Sequence, residues 1–201
     1  MITYDEVKKT IQSKNYVWFE GEMNLNMIWE RTSDDITNHF TDWLHICYTE
    51  NKVNKILSLP ATTKPGLKGA IDSPITYDGI TGTVIIIPGQ YLSSWQFIDS
   101  YTEFLQYPYF RQIKGIKYWR DGNKDLIVDH VQEEDNQLFG THWHRMSNIA
   151  TYGSGEVNNW SLGCIGCSEP IWYAVLPIIR ESVKIYGNVF SGIIIESKDF
   201  V

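Results

Sequence analysis

Two β-rich runs on either side of a short turn constrain this chain more than any other local feature. Trp43-Leu44-His45-Ile46-Cys47-Tyr48 and Val53-Asn54-Lys55-Ile56-Leu57 flank Asn51-Lys52, and that order predicts a β-hairpin. Further strand-like runs cover residues 25–29, 83–87, 114–119, 138–144 and 191–196, with Pro88-Gly89 ending the second of these. Helical patterns frame them. Residues 3–15 predict a short amphipathic helix with Thr3 and Glu6 in capping-box positions, Val7 and Ile11 on one face and Asn15 as its stop. Residues 169–186 predict a second helix, capped by Ser168, with Pro170 in its first turn and Gly187 after its end. Pro177 inside it predicts a kink or a break. Residues 60–74 hold three prolines and two glycines, which predicts a long surface connection.

The reading is an α+β chain, mainly β, with a helical segment at residues 1–18 and a single mainly-β domain at 19–201. A length of 201 residues with 43% hydrophobic content suffices for one proper core. The eight Trp and twelve Tyr are assigned mostly to core and half-buried sheet surface rather than to a sugar-stacking groove. A net charge of −7 without a basic tract argues against nucleic acid as a partner. The apolar run at 83–87 is far too short to cross a bilayer, so no membrane insertion is expected. The start of the chain has neither a basic region nor an apolar core. Synthesis in a cytoplasm without a signal peptide is expected.

Three cysteines, Cys47, Cys164 and Cys167, do not make a disulfide framework. Cys164 stands out because Ser161-Leu162-Gly163 precedes it, and a glycine there permits a tight backbone whose amides converge on one spot. A thiol used as a nucleophile needs a base and donors for the oxyanion it creates. His144 is the preferred base, and His142 the reserve on the same strand face, with Trp143 on the other. Arg145 carries a fork suited to a substrate carboxylate, or to a salt bridge. Trp160, next to the loop, is a further candidate substrate contact. Cys167 is the rival thiol, although Ser168-Glu169 after it read as a helix start.

Two metal readings compete. His142, His144, Cys164 and Cys167 supply the ligand count of a tetrahedral zinc site. Asp121-Gly122-Asn123-Lys124-Asp125 spaces oxygens like the opening of a calcium loop, but Leu126 and Gln132 stand at its glycine and glutamate positions, so a hairpin turn is the better reading.

Sixteen residues separate His144 from Ser161. With Ser161-Leu162-Gly163-Cys164, this resembles the L,D-transpeptidase signature of His, fourteen to seventeen residues, Ser or Thr, His, Gly, Cys. The spacing fits from His144 and not from His142. The resemblance implies Cys164 as nucleophile, His144 as base, and Ser161 and Gly163 as the loop shaping the oxyanion site. Leu162 stands where the family has its second histidine, and Gly166 where it has Asn or Arg. More broadly, residues 60–66, 88–91 and 118–123 resemble a phage and prophage protein family with the same ending. Together these imply an L,D-transpeptidase-like β-sandwich or barrel with a helix after the catalytic cysteine. They also imply an endolysin-type role in phage lysis at the bacterial cell wall, with peptidoglycan peptides as partner and neither metal nor cofactor.

Overall fold

A computed structural model describes residues 2–72, 76–77, 80–100, 105–131, 133–146, 156–158 and 160–200. Its first helix, α1 (Tyr4–Ser13), starts at a complete capping box: Thr3 Oγ1 accepts from the Glu6 N–H, and the Glu6 carboxylate accepts from the Thr3 N–H. Asn15, at φ 59°, turns the chain out of it. Then come β1 (Asn26–Arg31), β2 (Asp42–Glu50) and β3 (Val53–Ala61). The β2–β3 hairpin pairs without interruption from Glu50↔Val53 to Asp42↔Ala61. Asn51 and Lys52 make its turn at φ 53° and 63°, the left-handed pair that suits the twist of a two-residue hairpin.

After β3 come α2 (Leu67–Asp72) and short strands β4 (Thr76–Tyr77) and β5 (Ile80–Thr81), then β6 (Thr83–Ile86), β7 (Gly89–Ile98), β8 (Tyr109–Gln112) and β9 (Ile116–Asp121). The chain continues through β10 (Glu134–Gln137), β11 (Trp143–Arg145), β12 (Ile165–Cys167), α3 (Glu169–Tyr186) and β13 (Val189–Glu196), and a 3-10 turn at Ser197–Asp199 follows. The architecture is α+β and mainly β. Eight strands form one sheet in the order β12-β11-β8-β7-β13-β1-β2-β3, and β10-β9-β6 form a smaller one.

The large sheet curls until its ends meet. Past the end of β3, the Thr62 N–H donates to the Gly166 carbonyl at 2.8 Å, and the Gly166 N–H donates back to Thr62 O at 3.1 Å. The result is a nearly closed, barrel-like sheet. Its interior is aromatic: the Trp143 ring lies 4.6 Å from Trp95, 4.9 Å from Phe110 and 5.5 Å from Trp29. Gly192 makes room for this stack, since a Cβ there would lie 2.4 Å from the Trp143 ring. The outer face of β13, β1 and β2 is covered by α1, whose Tyr4, Val7 and Ile11 join Ile28, Cys47, Ile193 and Ile195 in a second apolar cluster. Burial on both faces explains why β1 and β13 read as continuous apolar runs rather than alternating ones.

Four local expectations change. Residues 61–66 are buried rather than a surface connection, because Thr62 closes the barrel and Lys64 is drawn in toward Asp42, 3.3 Å away. Residues 138–142 are not strand; pairing starts only at Trp143, opposite Phe110 and Ile165. The α3 helix runs through Pro177 as one element, with the proline on its exposed side, where water can serve the Tyr173 carbonyl it leaves unpaired. Ser168 does hold the N-cap position, but its hydroxyl makes no capping bond. Part of the segment expected to link strand and loop, residues 147–155, lies outside the described residues. No helix among the described residues is long and apolar enough to cross a membrane.

Candidate functional site

A pocket of about 310 Å³ opens where the loop ahead of β11 faces the loop ahead of β12. Cys164, Gly163, Leu162 and Trp160 line one side, and His142 and His144 line another. Val84, Leu105, Tyr107 and Phe139 complete a largely apolar wall. Parallel pairing of β11 with β12 sets His144 opposite Gly166. The sequence-predicted histidines and thiol therefore do converge, with the thiol half-buried.

The Ser161-to-Cys164 loop is held from within. Ser161 Oγ accepts from the Gly163 N–H at 3.1 Å and donates to the Cys164 carbonyl at 2.7 Å. Ser161 is buried and does not line the pocket, so its role is to shape the turn. Gly163 sits at φ +141°, and a Cβ there would meet Val84 Cγ2 at 2.4 Å and Val84 O at 2.5 Å. The Gly163 amide is thus engaged within the turn itself. The Cys164 N–H makes no hydrogen bond among the described residues, and the His142 N–H points at the Cys164 sulfur from 3.4 Å.

That His142 amide is positioned by residues that sequence reasoning did not single out. Gln112 Oε1 accepts from the N–H groups of Gly140 (2.9 Å) and Thr141 (3.0 Å) and from the Tyr118 hydroxyl (3.1 Å). Its Nε2 donates to the carbonyls of Lys114 and Gln137. From the other side, Trp95 Nε1 donates to Thr141 O at 2.8 Å. These partners are brought together by tertiary pairing, so no local sequence signal marks them.

The two histidines are in different states. His144 Nδ1 lies 2.6 Å from the Arg145 carbonyl, with the Tyr107 hydroxyl 3.2 Å away. A carbonyl only accepts, so Nδ1 carries the proton and Nε2 the lone pair. Nδ1 of His142 instead accepts from the Gln112 N–H at 3.3 Å, which places its proton on Nε2. Of the two rings, His144 is the one with a lone pair not engaged by a backbone donor.

Burial favours the neutral form of both rings. Burial pushes each down to about 4, reinforced at His142 by nearby Arg111 and opposed at His144 by the hydrogen bond to the Arg145 carbonyl. Burial pushes the Cys164 thiol up to about 11, against the pull of the His142 N–H. Burial thereby favours the protonated thiol at rest. No hydrogen bond joins the His144 ring to Cys164 Sγ among the described residues.

Arg145 is committed elsewhere. Its Nη1 pairs with Glu169 at 2.6 Å, at the start of α3, and its guanidinium lies 4.3 Å from the Tyr107 ring and 6.0 Å from Trp160. It braces the pocket wall without lining the pocket. Cys167 is buried in the core, its thiol raised far by burial. The zinc set His142, His144, Cys164 and Cys167 does not converge on one point. Among the described residues only Asp34, His130 and Glu196 bring ligand atoms together, and Glu196 there is paired with Lys198. The calcium-like run is a turn built on Asn123, whose side chain bonds Asp125 and Asp129.

No protein-family model, curated protein or solved structure matches this chain.

Proposed function

We propose that this chain is a cysteine-dependent acyl-transfer enzyme acting on peptidoglycan peptides, a peptidase or L,D-transpeptidase-like enzyme with an L,D-transpeptidase-like fold. The observation that carries the reading is the state of His144: its Nδ1–H is fixed on the Arg145 carbonyl, leaving Nε2 as a base in the pocket that holds Cys164. With the thiol near 11 and the imidazole near 4, no thiolate accumulates in advance. The proton leaves sulfur for His144 Nε2 as sulfur attacks the peptide carbonyl. The amides of His142, which points at the sulfur, and of Cys164 serve as donors for the oxyanion. His144 then protonates the leaving amine, and water (hydrolysis) or a second amine (transpeptidation) resolves the thioester.

The apolar wall from Val84 to Phe139 suits the aliphatic part of a stem or cross-link peptide, with Trp160 and His142 at its edges. Action at the bacterial cell wall as a phage-encoded lysis protein follows from the sequence resemblance. The test is muropeptide digestion followed by mass spectrometry. Cys164→Ala and His144→Ala abolish product while His142→Ala retains it; full activity of Cys164→Ala sinks the reading. One observation favours a second reading, a wall-binding protein that retains the site without turnover: no hydrogen bond joins the His144 ring to Cys164 Sγ among the described residues. That reading requires muropeptide binding that survives Cys164→Ala, with no product from the wild type.

A further inference from the structure

A larger groove, about 740 Å³, shares no lining residue with the Cys164 pocket. It lies where α1, β2, β3 and the C-terminal 3-10 turn meet, with Ile2, Trp43, Ile56 and Phe200 as its apolar walls. Three adjacent strands bring Glu30, His45 and Ser58 together in it. Register pairs His45 with Ser58 across β2 and β3, while Glu30 pairs with Trp43, two residues from His45 on the same strand face.

His45 Nδ1 is 2.8 Å from Ser58 Oγ, and its Nε2 is 2.8 Å from Glu30 Oε2. Burial raises the Glu30 carboxyl, but hydrogen bonds from His45 and Ser197 outweigh it and leave the group below its ordinary value. An ionised carboxylate only accepts, so Nε2 carries the ring proton and Nδ1 faces the Ser58 hydroxyl with its lone pair. His45 is buried, and its ring is held edge-on by Phe200 at 5.9 Å. The chain of nucleophile, base and orienting carboxylate is therefore complete, with both ring nitrogens committed.

We infer that Ser58, His45 and Glu30 form a second, serine-dependent acyl-transfer site for neutral carboxylic esters with a small apolar acyl group. Among its described lining residues the groove has the acidic Glu6 and Glu30 and no Lys or Arg, so anionic esters are disfavoured. Ser58 Oγ attacks the carbonyl carbon as its proton passes to His45 Nδ1. The bond to the leaving oxygen breaks, and that oxygen takes the proton from Nδ1. Water then adds with the same base, releasing the acid and restoring the hydroxyl.

The experiment treats the intact protein with a biotinylated alkyl fluorophosphonate, maps the adduct by peptide mass spectrometry and follows p-nitrophenyl butyrate hydrolysis. The expected result is one phosphonyl group on Ser58, lost in Ser58→Ala and unchanged in Cys164→Ala. Glu30→Gln, which preserves shape, slows labelling by roughly 10²-fold or more without changing the circular dichroism. A wild type left unlabelled, an adduct on another residue, or esterase activity equal in wild type and Ser58→Ala overturns the inference. A failure of the Cys164 reading leaves it standing.

Discussion

The backbone N–H of His142 points at the sulfur of Cys164 from 3.4 Å, and Gln112, thirty residues upstream of His142, is what holds that amide in place. Gln112 is buried and accepts from two backbone N–H groups of the same loop. Gln112→Ala leaves both without their acceptor, at roughly 1–3 kcal/mol each. The expected outcome is a lower Tm together with a loss of turnover larger than a surface mutation produces. Thermal unfolding and muropeptide assays on the same samples check it. Retention of wild-type turnover in a variant that still folds would remove Gln112 from the positioning network.

Gly163 is required by conformation and by space. At φ +141° an alanine is strained by about 1–3 kcal/mol, and its Cβ would run into the Val84 carbonyl as well as the Val84 methyl. The methyl can turn aside, but the carbonyl belongs to a paired strand. Gly163→Ala is therefore expected to lose at least about 2 kcal/mol of stability, read by urea unfolding, and to leave Cys164 displaced and inactive.

The pH dependence follows from burial. His142 and His144 are held near 4, below the 6.5 of a free ring. In the window between those values the unfolded chain binds more protons, so stability rises with pH there and falls as the solution is acidified toward 4. Cys164 runs the other way. Its thiol is raised from 9.0 to about 11, so its contribution is complete below 9 and is lost as pH climbs through 11. Iodoacetamide alkylation of Cys164 is expected to accelerate only above pH 9, and a rate plateau near neutrality would contradict this assignment.

What the sequence made legible is local. The Thr3–Glu6 capping box and the Asn51-Lys52 turn act within a few residues of themselves, and both occur as read. That His144 and Cys164 line one pocket agrees with their spacing, because two short parallel strands, β11 and β12, carry the two segments. Gln112 and Tyr107 were not legible, since their partners lie 28 to 37 residues away. Residues 60–74 read as a surface connection because Pro, Thr, Lys and Gly are the residues of one, yet residues 61–66 are buried. Only barrel closure at Thr62 turns that composition inward. Likewise β13, last in sequence, lies in the middle of the sheet between β7 and β1, a placement that no local pattern encodes.

Pro177 is a cost that α3 carries on its exposed side. It lacks the N–H that would bond the Tyr173 carbonyl. Pro177→Ala restores that donor and removes the ring clash, while the buried face from Ile171 to Ile179 is untouched. A stability gain of about 1–3 kcal/mol is expected by urea unfolding. A loss instead would mean that the proline shapes the helix for packing.

The buried charges beside the barrel closure give the sharpest stability test. Asp42 Oδ2 accepts from the Thr63 N–H and hydroxyl at 2.8 and 2.7 Å, and Oδ1 accepts from the Thr32 N–H and lies 3.3 Å from Lys64 Nζ. Lys64 also donates to the Ser33 carbonyl at 2.8 Å, and both side chains are almost wholly out of water. Removing one member of such a pair strands the other, at about 3–5 kcal/mol. Asp42→Ala is expected to lose that much. Its effect should reach the Cys164 pocket, because Thr63 follows the residue that bridges to Gly166, the strand partner of His144. Lys64→Met added to Asp42→Ala removes the stranded cation and should recover part of the loss. A double-mutant cycle by urea unfolding, with Cys164 alkylation rate as the second readout, checks both. Strict additivity would show that the two charges do not act as a pair.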